Sequence, residues 1–343
     1  MSDHDGSSQK TTSSKRGRRV TASDVAKAAG VSRPAVSRAF TPGAYLDDTK
    51  RERILQTALQ LGYRPNALAA SLHGTSTNLV GVVAGDLNNH YDAEFVARLV
   101  SRLNGANKWP IVLGGEDTVT KQSILSILNY PLDALIIRGG SIPSSLISDC
   151  EKLSIPLIFS GHVVEAPFTD CICCRNEAGT SMAVDLLLKR GRKSFGFIGG
   201  PKTRTSSNER LLGLTSRLGE AGLSLTSVVH SDYTYEGGSE AARIMLGKHP
   251  LDAIISANDA MALGALSAAR SQLGRRVPED LSIIGFDDIV MASWSDFNLT
   301  TIRNPLETTV TEILRMLEER LENPEKPAEI CMLDPILLER GTH

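Results

Sequence analysis

Residues 20–40 read VTASDVAKAAGVSRPAVSRAF. The run spells two short helices with a tight turn between them. Thr21 followed three residues later by Asp24 is a capping-box start, and Gly30 supplies a left-handed stop. Val31 bridges to Ser32, a favoured N-cap residue, and Pro34 falls in the first turn, where a missing N–H is harmless. With Val25, Ala29, Val31 and Val36 turned inward, the pattern predicts a helix-turn-helix.

In such a unit the second helix enters the major groove of DNA by its N-terminal residues. Arg33, Pro34 and Arg38 are therefore expected at base edges, arginine being able to fork onto guanine O6 and N7. Thr21, Ser32 and Ser37 are expected at phosphates. A small structural three-helix bundle with a solvated charged face would use the same residues, and the run alone leaves both readings open.

Charge speaks for the first. The whole chain of 343 residues has 37 Lys/Arg and 39 Asp/Glu, a net charge of −2. Residues 1–76 hold 12 of the basic and 6 of the acidic residues, which leaves 25 basic and 33 acidic for the remainder. A head of +6 on a body of −8 points to a localised polyanion site, most simply duplex DNA. Residues 1–19, rich in Ser, Lys and Arg, are expected to form a disordered basic tail. No uncharged apolar run approaches the roughly 18 residues of a membrane span, and the N-terminus lacks a secretory h-region, so a cytoplasmic, nucleoid-associated protein with no membrane partner is expected. The five cysteines, an odd number, are expected to be reduced thiols.

Beyond Asn78 the texture changes. The strand-length apolar runs are LVGVVA (79–84), PIVLGG (110–115), LDALIIRGG (132–140), IPLIFSG (155–161), SFGFIGG (194–200), LDAIISAND (251–259) and LSIIGFDD (281–288). They alternate with amphipathic helical segments such as AGTSMAVDLLLKRG and PLETTVTEILRMLEERLEN. Continuous apolar strands belong to sheets covered on both faces, and the alternation implies right-handed βαβ units. About 265 residues is long for one open sheet, so two α/β lobes are expected.

The blocks DVAKAAGVS, VSR and LGYRPNALA, then GDLNNHY, FIGGP, ERLLGL, SANDAMALGAL, RVPEDLSIIGFDD and LTTIRNP, resemble in order and spacing the LacI/GalR family of bacterial transcription regulators. The resemblance runs from Val20 to the C-terminus. It implies an all-α helix-turn-helix headpiece (20–62), a hinge helix and linker (63–76) and a two-lobed α/β domain of the periplasmic-binding-protein-like type I fold (77–343) for effector binding and dimerisation. The lobes are expected over 77–173 plus 303–323 and 174–300 plus 327–343, with crossovers near 172–176, 300–304 and 323–328. The segment RPNALAASLHG, two turns closed by Gly74, is too short to be a stable helix alone. By resemblance it orders when two copies meet on DNA: Tyr63 and Asn66 match phosphate contacts, Ala69 faces the minor groove and Leu72 wedges a base step. Ala70 and Ala35 depart from the family's usual Arg and Thr or Ser.

By the same resemblance, an effector lies in the interlobe cleft at strand C-terminal ends. A polyol needs hydrogen-bonding forks and an aromatic wall. Arg210, Asn258, Asp287, Tyr233, Tyr91 and Asp92 match those positions. His90, Asp92, Gly161-His162 and Arg175 depart from the usual residues, and Arg138 follows the third strand. Arg138, Arg175 and Arg210 together favour a sugar acid, unless they are merely exposed at a lobe rim. The implied protein is a homodimeric repressor of a pseudo-palindromic operator, controlled by a small sugar or sugar-acid-like effector. No cofactor or catalysis is expected, since no GxSxG, P-loop or HExxH is present. The spacing of Cys171, Cys173 and Cys174 near His162 lacks the paired CxxC loops of structural zinc. A transport binding protein would share the lobes but not the helix-turn-helix.

Overall fold

The structure, a computed structural model, describes residues 18–41, 43–65, 76–114, 125–139 and 144–343. The expectations for the tail up to residue 17 and for Asn66, Ala69 and Leu72 lie outside the described residues. The chain divides into two compact units, 1–77 and 78–343.

In the first unit, α1 (Ala22–Ala29), α2 (Arg33–Phe40) and α3 (Asp48–Leu61) enclose a small core of Val25, Ala29, Val36, Ile54 and Ala58. The capping box forms as the spacing predicts: Thr21 Oγ1 accepts from Asp24 N, and the Asp24 carboxylate accepts from Thr21 N at 2.8 Å. Gly30 closes α1 at φ 62°. Ala35, where the family usually has Thr or Ser, is buried in the core, where a hydroxyl would need an internal partner.

The second unit holds two six-stranded sheets. The first runs β11-β5-β4-β3-β1-β2, all parallel: β1 (Leu79–Val83), β2 (Trp109–Leu113), β3 (Ala134–Arg138), β4 (Leu157–Ser160), β5 (Thr169–Cys174) and β11 (Ile330–Leu333). The second runs β12-β10-β9-β8-β6-β7: β6 (Phe195–Gly199), β7 (Leu225–His230), β8 (Ala253–Ser256), β9 (Ser282–Asp287), β10 (Thr300–Arg303) and β12 (Ile336–Leu338). Only β12 is antiparallel to its neighbour. The sequence runs foresaw seven of these strands; β5, β7, β10, β11 and β12 were not among them. β7 alternates between exposed and half-buried residues and β11 and β12 are short, so none makes a continuous apolar run.

Period-2 alternation explains why the strands are apolar throughout. In the first sheet Ile136, Ile158 and Ile172 face α4 (His90–Gly105) and α10 (Leu306–Glu322), while Leu135, Ile137, Leu157, Phe159 and Cys171 face α5 (Ser144–Lys152). The second lobe is built the same way around α6 (Asn176–Lys189), α7 (Thr205–Glu220), α8 (Tyr235–Lys248) and α9 (Asp259–Ser267). All five cysteines are free thiols, and burial pushes those of Cys150, Cys173 and Cys174 up to about 12.

Two crossovers fall close to expectation, between β5 and α6 and between β10 and α10. The third does not. β11 adds to the first sheet beside β5, so the chain passes between lobes at Asp334-Pro335 rather than at 323–328. The cause is a buried ion pair. Arg320 of α10 donates to both oxygens of Asp170 on β5 at 3.0 and 2.6 Å, and to the carbonyls of Pro324, Lys326 and Pro327. Glu329 N also donates to Asp170, at 3.0 Å, so the turn after α10 is clamped onto the first lobe. Removing one partner of a buried pair strands the other charge. Asp170→Ala should cost roughly 3–5 kcal/mol, read as a lowered midpoint in urea unfolding, and a loss below 1 kcal/mol would refute the clamp.

Candidate functional site

Two surfaces carry chemistry. On the headpiece, Ser32, Arg33, Pro34, Ser37 and Arg38 are all exposed along one side of α2, while Ala35, Val36 and Ala39 are buried on the other. The Ser32 hydroxyl makes no capping bond, which leaves it open to an outside acceptor or donor. Thr21 differs: its hydroxyl donates to Asp24 at 2.7 Å, so it serves the helix start first. Thr21 and Arg18 together hold the Asp24 carboxyl down at about 2. Tyr63 packs its ring edge-on against Phe40 with centroids 5.7 Å apart and is half-buried, so only part of it faces outward. Sequence reading missed Arg51, which donates to the carbonyls of Arg38, Ala39 and Ala44 and ties α3 to the end of α2.

In the body, both sheets have the doubly wound order in which the second strand lies outside the first. Loops leave in opposite directions there, and a crevice opens at the strand C-terminal ends. A cavity of about 250 Å³ lies at these ends, bordered by both lobes. Tyr91, Asp92, Arg138, Arg210, Tyr233, Asn258 and Asp287 all line it. Arg175 does not. It pairs with Asp334 at 3.0 Å with its side chain 51% exposed, because as the residue preceding α6 it sits on the crossover beside Asp334. Its expected effector contact is therefore withdrawn.

Arg210 is buried, and each of its three nitrogens donates one hydrogen bond within the second lobe. Nε donates to Asn176 at 2.8 Å, Nη1 to the Ala257 carbonyl and Nη2 to Asp287 at 3.3 Å, with the guanidinium carbon 3.6 Å from the Phe286 ring centre. Asn258 caps α9, accepting from Met261 N at 3.0 Å, and donates to the Tyr233 carbonyl. Asp287 ends β9 at φ 109°, outside the ordinary strand region, which turns its carboxylate into the cavity wall. Burial raises its carboxyl to about 6 against the pull of Arg210 and Arg138. Burial also raises Tyr91 and Tyr233, and burial with Arg138 keeps His162 below its ordinary value. Arg138 pairs with Asp92 at 2.9 Å.

Each lining arginine seen in the sequence is thus matched by a carboxylate. The lining as a whole holds Arg138, Arg204 and Arg210 beside four aspartates, Asp86, Asp92, Asp232 and Asp287, so it has no surplus of positive charge for a sugar acid. Asn176 and Asn304 were missed as site residues. Asn176 orients Arg210 and lies in the CCRN run, two residues beyond the end of β5, and Asn304, which bonds Asp287, lies in TTIRNP, directly after β10.

Comparison with known proteins agrees with this geometry. Residues 21–66 match the model for bacterial regulatory proteins of the lacI family, and residues 184–343 match a periplasmic binding protein-like domain. The HTH-type transcriptional repressor PurR of Pectobacterium atrosepticum is 30% identical over 328 residues, covering 94% of this chain and 96% of that protein. The lac repressor dimer bound to operator and the anti-inducer ONPF superposes with a TM-score of 0.84 at 27% identity, over 95% of this chain and 99% of that one. The transcriptional regulator CelR in complex with cellobiose matches with a TM-score of 0.71 at 26% identity, over 95% of this chain and all of that one (100%).

Folded Asp287 titrates near 6, whereas an exposed aspartate titrates near 3.8. Between those values the unfolded chain is ionised while the folded protein keeps its proton. Stability therefore falls as pH rises from about 4 to about 6 and levels off above. The difference is worth about 3 kcal/mol. Between pH 4 and pH 7 the stability of Asp287→Asn relative to the unsubstituted protein should move in the variant's favour by that amount, measured by urea unfolding. A pH-independent difference would show that this carboxyl titrates normally.

Proposed function

The chain belongs to the lacI family of bacterial regulatory proteins, DNA-binding transcriptional repressors, and from that premise we propose that it binds a pseudo-palindromic operator as a homodimer under the control of a small sugar-like effector held between its lobes. The observation that carries the reading is the division of α2 into a buried apolar side and an exposed side of Ser32, Arg33, Pro34, Ser37 and Arg38. A helix presented this way offers base-reading and phosphate-binding groups together. By family resemblance Asn66 adds a phosphate contact, and Ala69 and Leu72 extend the interface into the minor groove, where a leucine wedge bends the duplex.

Dimerisation is supported by apolar side chains left at the surface of both lobes. Trp109 on edge strand β2 is 59% exposed, and Trp294, after β9, is 53% exposed beside an exposed Val290. Exposed apolar patches of this kind mark association surfaces. The lac repressor relative assembles as a dimer on operator, which agrees with two headpieces reading two half-sites.

The effector reading rests on the cavity at the two switch points, lined by polar side chains from both lobes. CelR, a relative, is known in complex with cellobiose. The paired arginines support an uncharged sugar over the sugar acid that the sequence also allowed. A ligand touching both lobes favours one lobe arrangement over another by its differential affinity, and that difference is what reaches the DNA.

Incubating the full-length protein with fragmented bacterial genomic DNA at moderate salt and sequencing the bound fraction tests the reading. A single enriched pseudo-palindrome is expected, and no preference over random competitor would overturn it. In the same selection Arg38→Ala should lose roughly 1–3 kcal/mol and relax preference at one base pair per half-site. Trp294→Asp should sediment as a monomer at micromolar concentration and bind the enriched site much more weakly; a fully dimeric variant would place the interface elsewhere.

A further inference from the structure

The two lobes commit the hydrogen-bonding groups of the cavity differently. Arg210, the donor fork of the second lobe, is held by Asn176, the Ala257 carbonyl and Asp287. On the first lobe Arg138 ends β3 directly opposite Ser160, the last residue of β4, and Asp92 lies in the first turn of α4. Arg138 Nε donates to Asp92 Oδ1 at 2.9 Å and Nη1 to the Ser160 carbonyl at 3.3 Å. Among the described residues nothing bonds Arg138 Nη2 or Asp92 Oδ2. The Ser160 hydroxyl, on a residue only 1% exposed, also has no partner among them. All three residues line the cavity.

This arrangement is built, not incidental. The guanidinium lies 4.9 Å from the Tyr91 ring centre and 5.4 Å from that of Phe95, which fixes its plane. Two glycines make room for the pair. A Cβ at position 85 would lie 2.2 Å from Asp92 Oδ2, and one at position 161 would lie 2.5 Å from Arg138 Nη1. Gly161 also has φ +111°, which a side chain would strain. The residues that depart from the family pattern, Asp92 and Gly161, are thus parts of one device.

We infer that the Arg138–Asp92 pair, with Ser160, is the specificity-determining subsite of the effector cavity. It accepts a neighbouring donor and acceptor on an uncharged ligand and rejects a carboxylate at that position. The rejection follows from Coulomb's law at short range. A ligand carboxylate placed against Arg138 would come within a few ångströms of Asp92, where like charges repel strongly in a partly desolvated site. Uncharged hydroxyls satisfy both members of the pair at once, donating to Asp92 and accepting from Arg138. This assignment rests on the effector reading above and adds to it which side chains choose the ligand.

Calorimetric titration of the full-length protein with matched sugars tests it: D-glucose against D-glucuronate, D-galactose against D-galacturonate, and D-ribose. The unsubstituted protein should bind at least one hexose and prefer it tenfold or more over its acid. The near-isosteric Asp92→Asn keeps the pair's shape and removes its negative charge, so it should narrow that preference about tenfold. Arg138→Gln should weaken the neutral sugar tenfold or more without narrowing the preference. A merely structural pair would lower both affinities together and leave their ratio unmoved. The assignment is overturned if no sugar in the panel binds, if the acid is preferred, or if Asp92→Asn changes the ratio by less than threefold. Selection of DNA fragments with the same protein scores the repressor reading separately, so failure of one is distinguishable from failure of the other.

Discussion

The second lobe is organised around a positive charge that has been taken out of water. Burying a guanidinium costs several kcal/mol unless its donors and its charge are matched. Arg210 finds its partners at three places in the fold: Asn176 at the start of α6, the Ala257 carbonyl after β8, and Asp287 with the ring of Phe286 at the end of β9. Satisfying Arg210 therefore fixes the relative positions of the strand ends that form one wall of the cavity. The group that sequence patterning presents as a ligand contact is first the keystone of that wall. Asp259 has a comparable part nearby. Its buried carboxyl accepts from Ile289 N at 2.9 Å and from the Thr301 hydroxyl, joining the loop after β9 to the strand that leads out of the lobe.

The first lobe solves the same problem with a different economy of contacts. Arg138 is matched by Asp92 and cushioned by Tyr91 and Phe95, but part of its donor capacity stays open to the cavity. One wall is thus closed upon itself and the other is available. The three chain passages between lobes, after β5, after β10 and at Asp334-Pro335, all lie at strand ends, and Asn176 and Asn304, just beyond two of those strands, line the cavity. A ligand that bonds both walls acts where the connections leave each sheet, and few residues there need to move for the lobes to change their arrangement.

The headpiece depends on local chemistry to a degree the body does not. Its helices are short, and such helices form only when their ends are capped and their apolar sides packed. Thr21 with Asp24, Gly30 and Asp47 serve the ends, while Val25, Val36 and Ile54 serve the packing. Arg51 completes the unit by bonding three backbone carbonyls near the end of α2, which holds the exposed side of that helix in a fixed direction.

Local patterns in the chain were enough to determine the helix-turn-helix and the alternation of strand and helix, while the family resemblance singled out Tyr91, Asp92, Arg210, Tyr233, Asn258 and Asp287, all of which line the cavity. Caps act over three or four residues and strand burial repeats every two, so both are written in neighbouring letters. Pairing between charges far apart in the chain is not. Asp170 meets Arg320 across 150 positions and carries the third crossover to Asp334-Pro335; Arg175 turns to Asp334 and leaves the cavity; Arg210 is consumed by its own wall. Which arginines remain open to a ligand is decided by which carboxylates the fold brings beside them. That choice depends on distances that only the tertiary structure sets, because Coulomb energy follows separation in space and not in sequence.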